Sequence, residues 1–149
     1  MATSEMNLEE IEQFLTCSRV GRIAVSLETS PYIVPVGYVY TGGVIAFHTC
    51  MKGLKVETIR RNPAVCFEVD ECASDTSWFK SVIIFGKAAI IDERSKMIPY
   101  LQKLIDKYRI PTEFDDYMSK RGRDKEKELQ AVRICIITPE KITGRKRCV

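Results

Sequence analysis

Histidine and tryptophan are almost missing from this 149-residue chain, which has one of each, His48 and Trp78. A single histidine leaves little from which to build a zinc site, and the six cysteines do not compensate. Cys17, Cys50, Cys66, Cys72, Cys135 and Cys148 are scattered without any C-x-x-C pair. Excess charge is missing too: 23 basic residues against 20 acidic give a net +3, too little to point by itself to nucleic acid or a membrane as partner. No early apolar run is long enough for a signal peptide or a membrane-spanning helix, and the opening MATSEMNLEEIEQFL is acidic where a signal would be basic. A cytoplasmic protein with its cysteines as free thiols is expected. Cys66 and Cys135, inside apolar strands, read as small core residues. The sequence also holds no internal repeat, no low-complexity tract and no set of acid, base and nucleophile that would demand catalysis.

What is present is a chain of 45% hydrophobic residues, enough for one globular domain spanning 1–149. Asn7 and Glu10 are spaced as a capping box, followed by Leu8, Ile11, Phe14 and Leu15 at helical period. Alternation predicts six strands: Gly21 to Leu27, Tyr32 to Tyr40, Val44 to His48, Ala64 to Val69, Val82 to Ile91 and Ala131 to Ile137. Thr41, Gly42 and Gly43 predict a hairpin turn, and Gly86 a bulge or bend. Asp92 is placed to cap a helix from about Ser95 to Tyr108, with Met97, Leu101, Leu104 and Ile105 on its buried side and Pro111 as its stop. A helical turn is possible around Phe114, Tyr117 and Met118. These elements predict a β-dominated α+β fold, a six-stranded antiparallel split β-barrel, closed or partly closed, with flanking helices.

The stretch FHTCMKGLKVETIRRNPAVCF, Phe47 to Phe67, carries the most chemistry. A strand end bearing His48 and Thr49 runs through a glycine turn into a short basic helix that Pro63 closes. The first N–H groups of such a helix point outward, and Lys52 and Lys55 set positive charge beside them, an arrangement suited to a phosphate. The bland alternative is a solvated basic helix face, since Arg60 and Arg61 follow. In Tyr32 to Tyr40, Pro35 argues against a fully paired central strand and Gly37 leaves room for a flat ring to approach the backbone, unless this is simply a bent barrel strand. The basic end of ITGRKRCV reads most plainly as a solvated terminus.

YIVPVGYVY, the hairpin after it, FHTCMKGLKVETIRRNPAVCFEV and SVIIFGKAAII together resemble the FMN-binding split-barrel family that includes pyridoxamine 5′-phosphate oxidase, above all its nitroimidazole-resistance-like branch, from about Gly21 to Gly144. The resemblance implies bound FMN in a homodimer whose cofactor sites lie at the subunit interface. It implies that Val34, Pro35, Val36, Gly37 and Tyr38 line the flavin ring, that His48 and Thr49 touch it, and that Lys55, with Lys52 beside it, holds the phosphate. Ser81 and the backbone of Val82 would bond the ring, Arg145 or Lys146 would assist, and His48 would give a proton to a reduced substrate. The implied activity passes electrons from NADH or NADPH to a small acceptor. A flavin sensor without turnover, or a relative holding haem or a deazaflavin, stays open. The tryptophan and arginine–histidine pattern of the oxidase members is missing after Trp78, so oxidation of pyridoxamine phosphate is not expected. The insertion from Asp92 to Glu128 is placed to roof the site.

Overall fold

The computed structural model describes residues 2–108 and 124–148. The expected turn around Phe114, Tyr117 and Met118 and the stop at Pro111 lie outside them. Helix α1 (Leu8–Cys17) begins as predicted: Asn7 Oδ1 accepts from the Glu10 N–H and Glu10 Oε2 from the Asn7 N–H, both at 2.9 Å. Ile11, Phe14 and Leu15 are buried, while Leu8, in the first turn, remains 64% exposed.

Eight strands form one antiparallel sheet among the described residues, two more than expected. They are β1 (Ser4–Glu5), β2 (Val20–Ser26), β3 (Pro31–Gly37), β4 (Val39–Thr41), β5 (Val44–Cys50), β6 (Ala64–Cys72), β7 (Phe79–Ile91) and β8 (Val132–Arg147). Their order is β3-β2-β6-β7-β8-β5-β4, with β1 added on β8. The predicted strand from Tyr32 to Tyr40 is therefore two strands, and the reason is topological. β3 pairs with β2 at one end of the sheet and β4 with β5 at the other, so the chain crosses at Tyr38 from one end to the other. That crossing curls the sheet into a half-barrel.

Tyr38 anchors the crossing. Its ring is fully buried, meets Phe67 edge-on at 5.2 Å between centroids, and its hydroxyl donates to the Leu15 carbonyl at 2.6 Å. Burial pushes the phenol pKa upward, so the hydroxyl remains a donor. Pro35 is tolerated because β3 is an edge strand. Tyr32, Val34 and Val36 pack on the core cluster, while Ile33, 61% exposed, and Pro35 face outward. Cys135 is buried and Cys66 half-buried.

The basic tail is a strand and not a loose terminus. β8 continues to Arg147, with Arg145 opposite Ser81 on β7 and opposite Glu5 on β1. Helices α2 (Leu54–Arg61), α3 (Arg94–Lys107) and α4 (Lys125–Ala131) complete the fold. Asp92 does not cap α3. Its carboxylate accepts from Arg60 at 2.8 Å and from Arg133 Nε at 3.0 Å, tying α2 to β8, and these guanidiniums, Arg60 foremost, hold it below the usual carboxylate range. Glu93 occupies the cap position without a side-chain bond to the helix. Among the described residues no helix is long and apolar enough to cross a membrane.

The bulge at Gly86 is real: the β7–β8 register slips between Phe85 and Gly86. A Cβ on Gly86 would stand 2.3 Å from the Thr138 carbonyl oxygen, a backbone atom that cannot swing aside. Gly86→Ala is expected to cost roughly 1–3 kcal/mol, as overpacking does. Urea denaturation measures this, and an unchanged midpoint would show that the bulge has slack.

Candidate functional site

A cavity of about 450 Å³ opens where β5 meets α2. Its walls come from Tyr32 on β3, from His48 and Thr49 on β5, from the turn and helix residues Lys52 to Val56, and from Glu128 and Val132. β3 and β5 lie far apart in strand order, so only the curl of the sheet brings Tyr32 and His48 to one space.

The local sequence explains the basic wall. Gly53 has φ 150° and ψ 164°, a conformation that a Cβ would forbid, and it turns β5 abruptly into α2. Glycine has no capping side chain, so none bonds the first turn of α2, whose residues Leu54, Lys55 and Val56 line the cavity. The unbonded N–H groups, the positive end of the helix and two lysines thus share one space. Lys55 also passes over the buried Phe47 ring at 5.7 Å, which limits the directions its ammonium can take. These donors suit a phosphate monoester.

His48 faces this cavity. Its edge is open to solvent while the walls around it desolvate the cation, and that desolvation, with the nearby Lys55 charge second, lowers its pKa from the ordinary 6.5. At neutral pH the imidazole is accordingly neutral. Thr49 is buried beside it. The wall residues that sequence reasoning missed include Tyr32, which alternation with Val34 and Val36 could have placed on the inner face, and Glu128, which nothing distinguished within a charged segment.

The remaining site candidates do not join this cavity. Val34 and Val36 pack on the core, Pro35 faces outward and Tyr38 is buried in the barrel crossing. The room left by the missing side chain of Gly37 is taken by this chain's own Tyr108, whose hydroxyl would stand 1.8 Å from a Cβ there. Ser81 and Val82 lie near the far end of the β7–β8 ladder. Ser81 is opposite Arg145, and His48 is opposite Ile134, eleven residues away on the same strand. That is roughly 36 Å of strand contour.

Both the curled antiparallel half-barrel and its basic turn define the class, a split barrel with a phosphate-ready helix start. Residues 7–146 match the family model of pyridoxamine 5′-phosphate oxidase, and the chain belongs to that family. It is 33% identical over 82 residues to an uncharacterized protein of Rhizobium meliloti (strain 1021), a stretch covering 55% of this chain and about half, 53%, of that relative. Among solved structures, an FAD-binding protein from Mesorhizobium loti superimposes with a TM-score of 0.74 at 24% identity, covering 99% of this chain and all of that one. A protein provisionally assigned to 5-nitroimidazole antibiotic resistance in Bacteroides thetaiotaomicron gives 0.79 at 18% identity, covering 97% and 87%. These structural likenesses establish the fold.

Because His48 is less basic folded than unfolded, the unfolded chain takes up the proton first as pH falls. The stability is whole above 6.5 and is expected to decline as pH drops below that value towards the folded pKa. Urea midpoints between pH 8 and pH 5.5 measure it, and His48→Gln should flatten the decline. A wild-type midpoint constant over that range would mean that the imidazole is no harder to charge in the fold.

Proposed function

We propose that the protein binds FMN and is a flavin-dependent oxidoreductase, passing electrons from NADH or NADPH to a small acceptor. One observation carries this reading: His48, Thr49, Lys52 and Lys55 converge on a cavity whose floor is the uncapped start of α2. Family membership supports the flavin. The residues present fit the phosphate end of such a cofactor, since two ammonium groups and free helix N–H donors can together balance a dianion. Bound flavin supplies the redox chemistry, and the protein supplies position and charge. Lys55 and Lys52 hold the phosphate, Thr49 and Tyr32 bound the space beyond it, and Glu128 offers an acceptor for a sugar hydroxyl. A phosphate would offset the Lys55 charge beside His48 but not the desolvation that is the larger cause of its lowered pKa, so His48 faces the substrate as a neutral imidazole whose N–H is the group available to donate.

The separation of the two candidate groups supports a homodimer with cofactor sites at the subunit interface. Ser81 and Val82 cannot serve the same ring as His48 from within one subunit if the contour of β8 stands between them, whereas a two-fold partner brings one group to the other. A cytoplasmic location accords with this donor chemistry.

FMN titration of the apoprotein, followed by flavin fluorescence, tests the site. Lys55→Ala is expected to weaken binding by about tenfold or more, the loss of one charge-assisted bond. An unchanged dissociation constant would remove Lys55 from the site. Turnover with NADH or NADPH and artificial acceptors then separates an oxidoreductase from a flavin sensor, which would bind FMN and show negligible rates. Sedimentation of the loaded protein checks the dimer, and a monomer that retains FMN tightly would exclude the shared site.

A further inference from the structure

A second cavity, of about 660 Å³, lies at the other end of the molecule, between the end of α1 and the strands β6, β7 and β8. Its apolar floor is Met6, Phe14 and Val20, the last 50% exposed. Six charged groups surround that floor, three of each sign, and their pairing is uneven. Glu10 is engaged by Lys146, and Asp70 by Arg22 at 2.6 Å. Glu71, opposite Lys80 across the β6–β7 ladder, remains exposed.

Arg19 is held differently. One of its terminal nitrogens donates to the Lys107 carbonyl at 3.0 Å, and its guanidinium lies over the Tyr108 ring at 5.3 Å. Tyr108 in turn donates its hydroxyl to the Arg19 carbonyl at 2.9 Å, so the clasp is reciprocal. A neutral carbonyl and an aromatic face fix the guanidinium without cancelling its charge. Among the described residues neither Arg19 nor Lys80 forms a salt bridge. Beside Arg19 the Lys107 ammonium is buried without a hydrogen-bond partner, 4.3 Å from the Tyr38 centroid. Burial, and then the Arg19 charge, lower its pKa to about 8. Arg19, Lys80 and Lys107 are thus three cations without a carboxylate partner among the described residues.

We propose that this cavity is a second ligand site, taking a small organic carboxylate whose apolar body rests on Met6, Phe14 and Val20 and whose carboxylate pairs with Arg19. A pre-oriented guanidinium offers the planar fork that matches a carboxylate, and little side-chain entropy remains to be lost on binding. Lys80 adds a second positive charge at the mouth. A purely apolar ligand would leave Arg19 desolvated and unpaired, which disfavours it. The site shares no residue with the basic cavity at α2.

Sodium benzoate is the probe and benzyl alcohol its uncharged counterpart, titrated into the full-length protein and followed by calorimetry and amide NMR shifts. Wild type should bind benzoate at millimolar concentration or below, with shifts at Arg19, Val20 and Lys80, and should bind benzyl alcohol at least about tenfold more weakly. Arg19→Gln should lose binding by a similar factor, Arg19→Lys should fall between, and Lys55→Ala should match wild type. If Arg19→Gln does not fold, Arg19→Lys and Lys80→Gln still report on the charge. Equal affinity for the alcohol, an unchanged constant in Arg19→Lys and Lys80→Gln alike, shifts centred on His48 and Lys55, or no binding at all would each overturn the proposal. Loss of FMN binding in Lys55→Ala with benzoate binding intact keeps the two sites apart.

Discussion

Strands β7 and β8 are paired from Phe79 opposite Arg147 to Ile91 opposite Ile134, the longest ladder in the molecule, and the rest of the structure hangs from it. β6 and β2 are attached through β7, and β5 and β4 through β8, so neither wing of the sheet touches the other by hydrogen bonds. A ladder this long twists of itself, and its slip at Gly86 adds to that twist locally. The twist curls the two wings towards each other, and Tyr38 ties them. The two cavities lie at opposite ends of this one ladder.

Helix starts divide between structure and binding. α1 and α4 satisfy their first turns with their own side chains, Asn7 with Glu10 in one and Asp124 in the other. α2 begins with Gly53 and has no such bond, although it sits next to a cavity lined with lysines. α3 also lacks one, and it begins beside the Asp92 cluster. A glycine start forgoes only about a few tenths of a kcal/mol relative to a side-chain cap. The donors it leaves free are useful only if a ligand arrives.

Much of this was legible in the chain. The capping box at Asn7, the hairpin at Gly42 and Gly43, the bulge at Gly86 and the edge character of Pro35 are local matters, and their signals are local. The split of β3 from β4 was not, because nothing in YIVPVGYVY says that its two halves pair with strands at opposite ends of a sheet. Asp92 misled for the same reason: its spacing matched a cap, while two arginines distant in sequence offered stronger partners. At the basic site His48, Thr49, Lys52 and Lys55 are neighbours in sequence, and the structure keeps them together. Gly37 was readable as a position that needs space, but the occupant, Tyr108, is distant in sequence.

The position of β8 also sets the order of events in synthesis. It is the last described strand to be made, yet it stands between β7 and β5 and carries β1 from the other end of the chain. Until Val132 to Arg147 have left the ribosome, the β4–β5 hairpin has no sheet to join and β7 presents an open edge. Such non-local closure is slow and leaves strand edges exposed while it waits. Folding therefore depends on β8 to cover the open edge of β7, and a chain halted before Val132 would be primed to add strands from its neighbours.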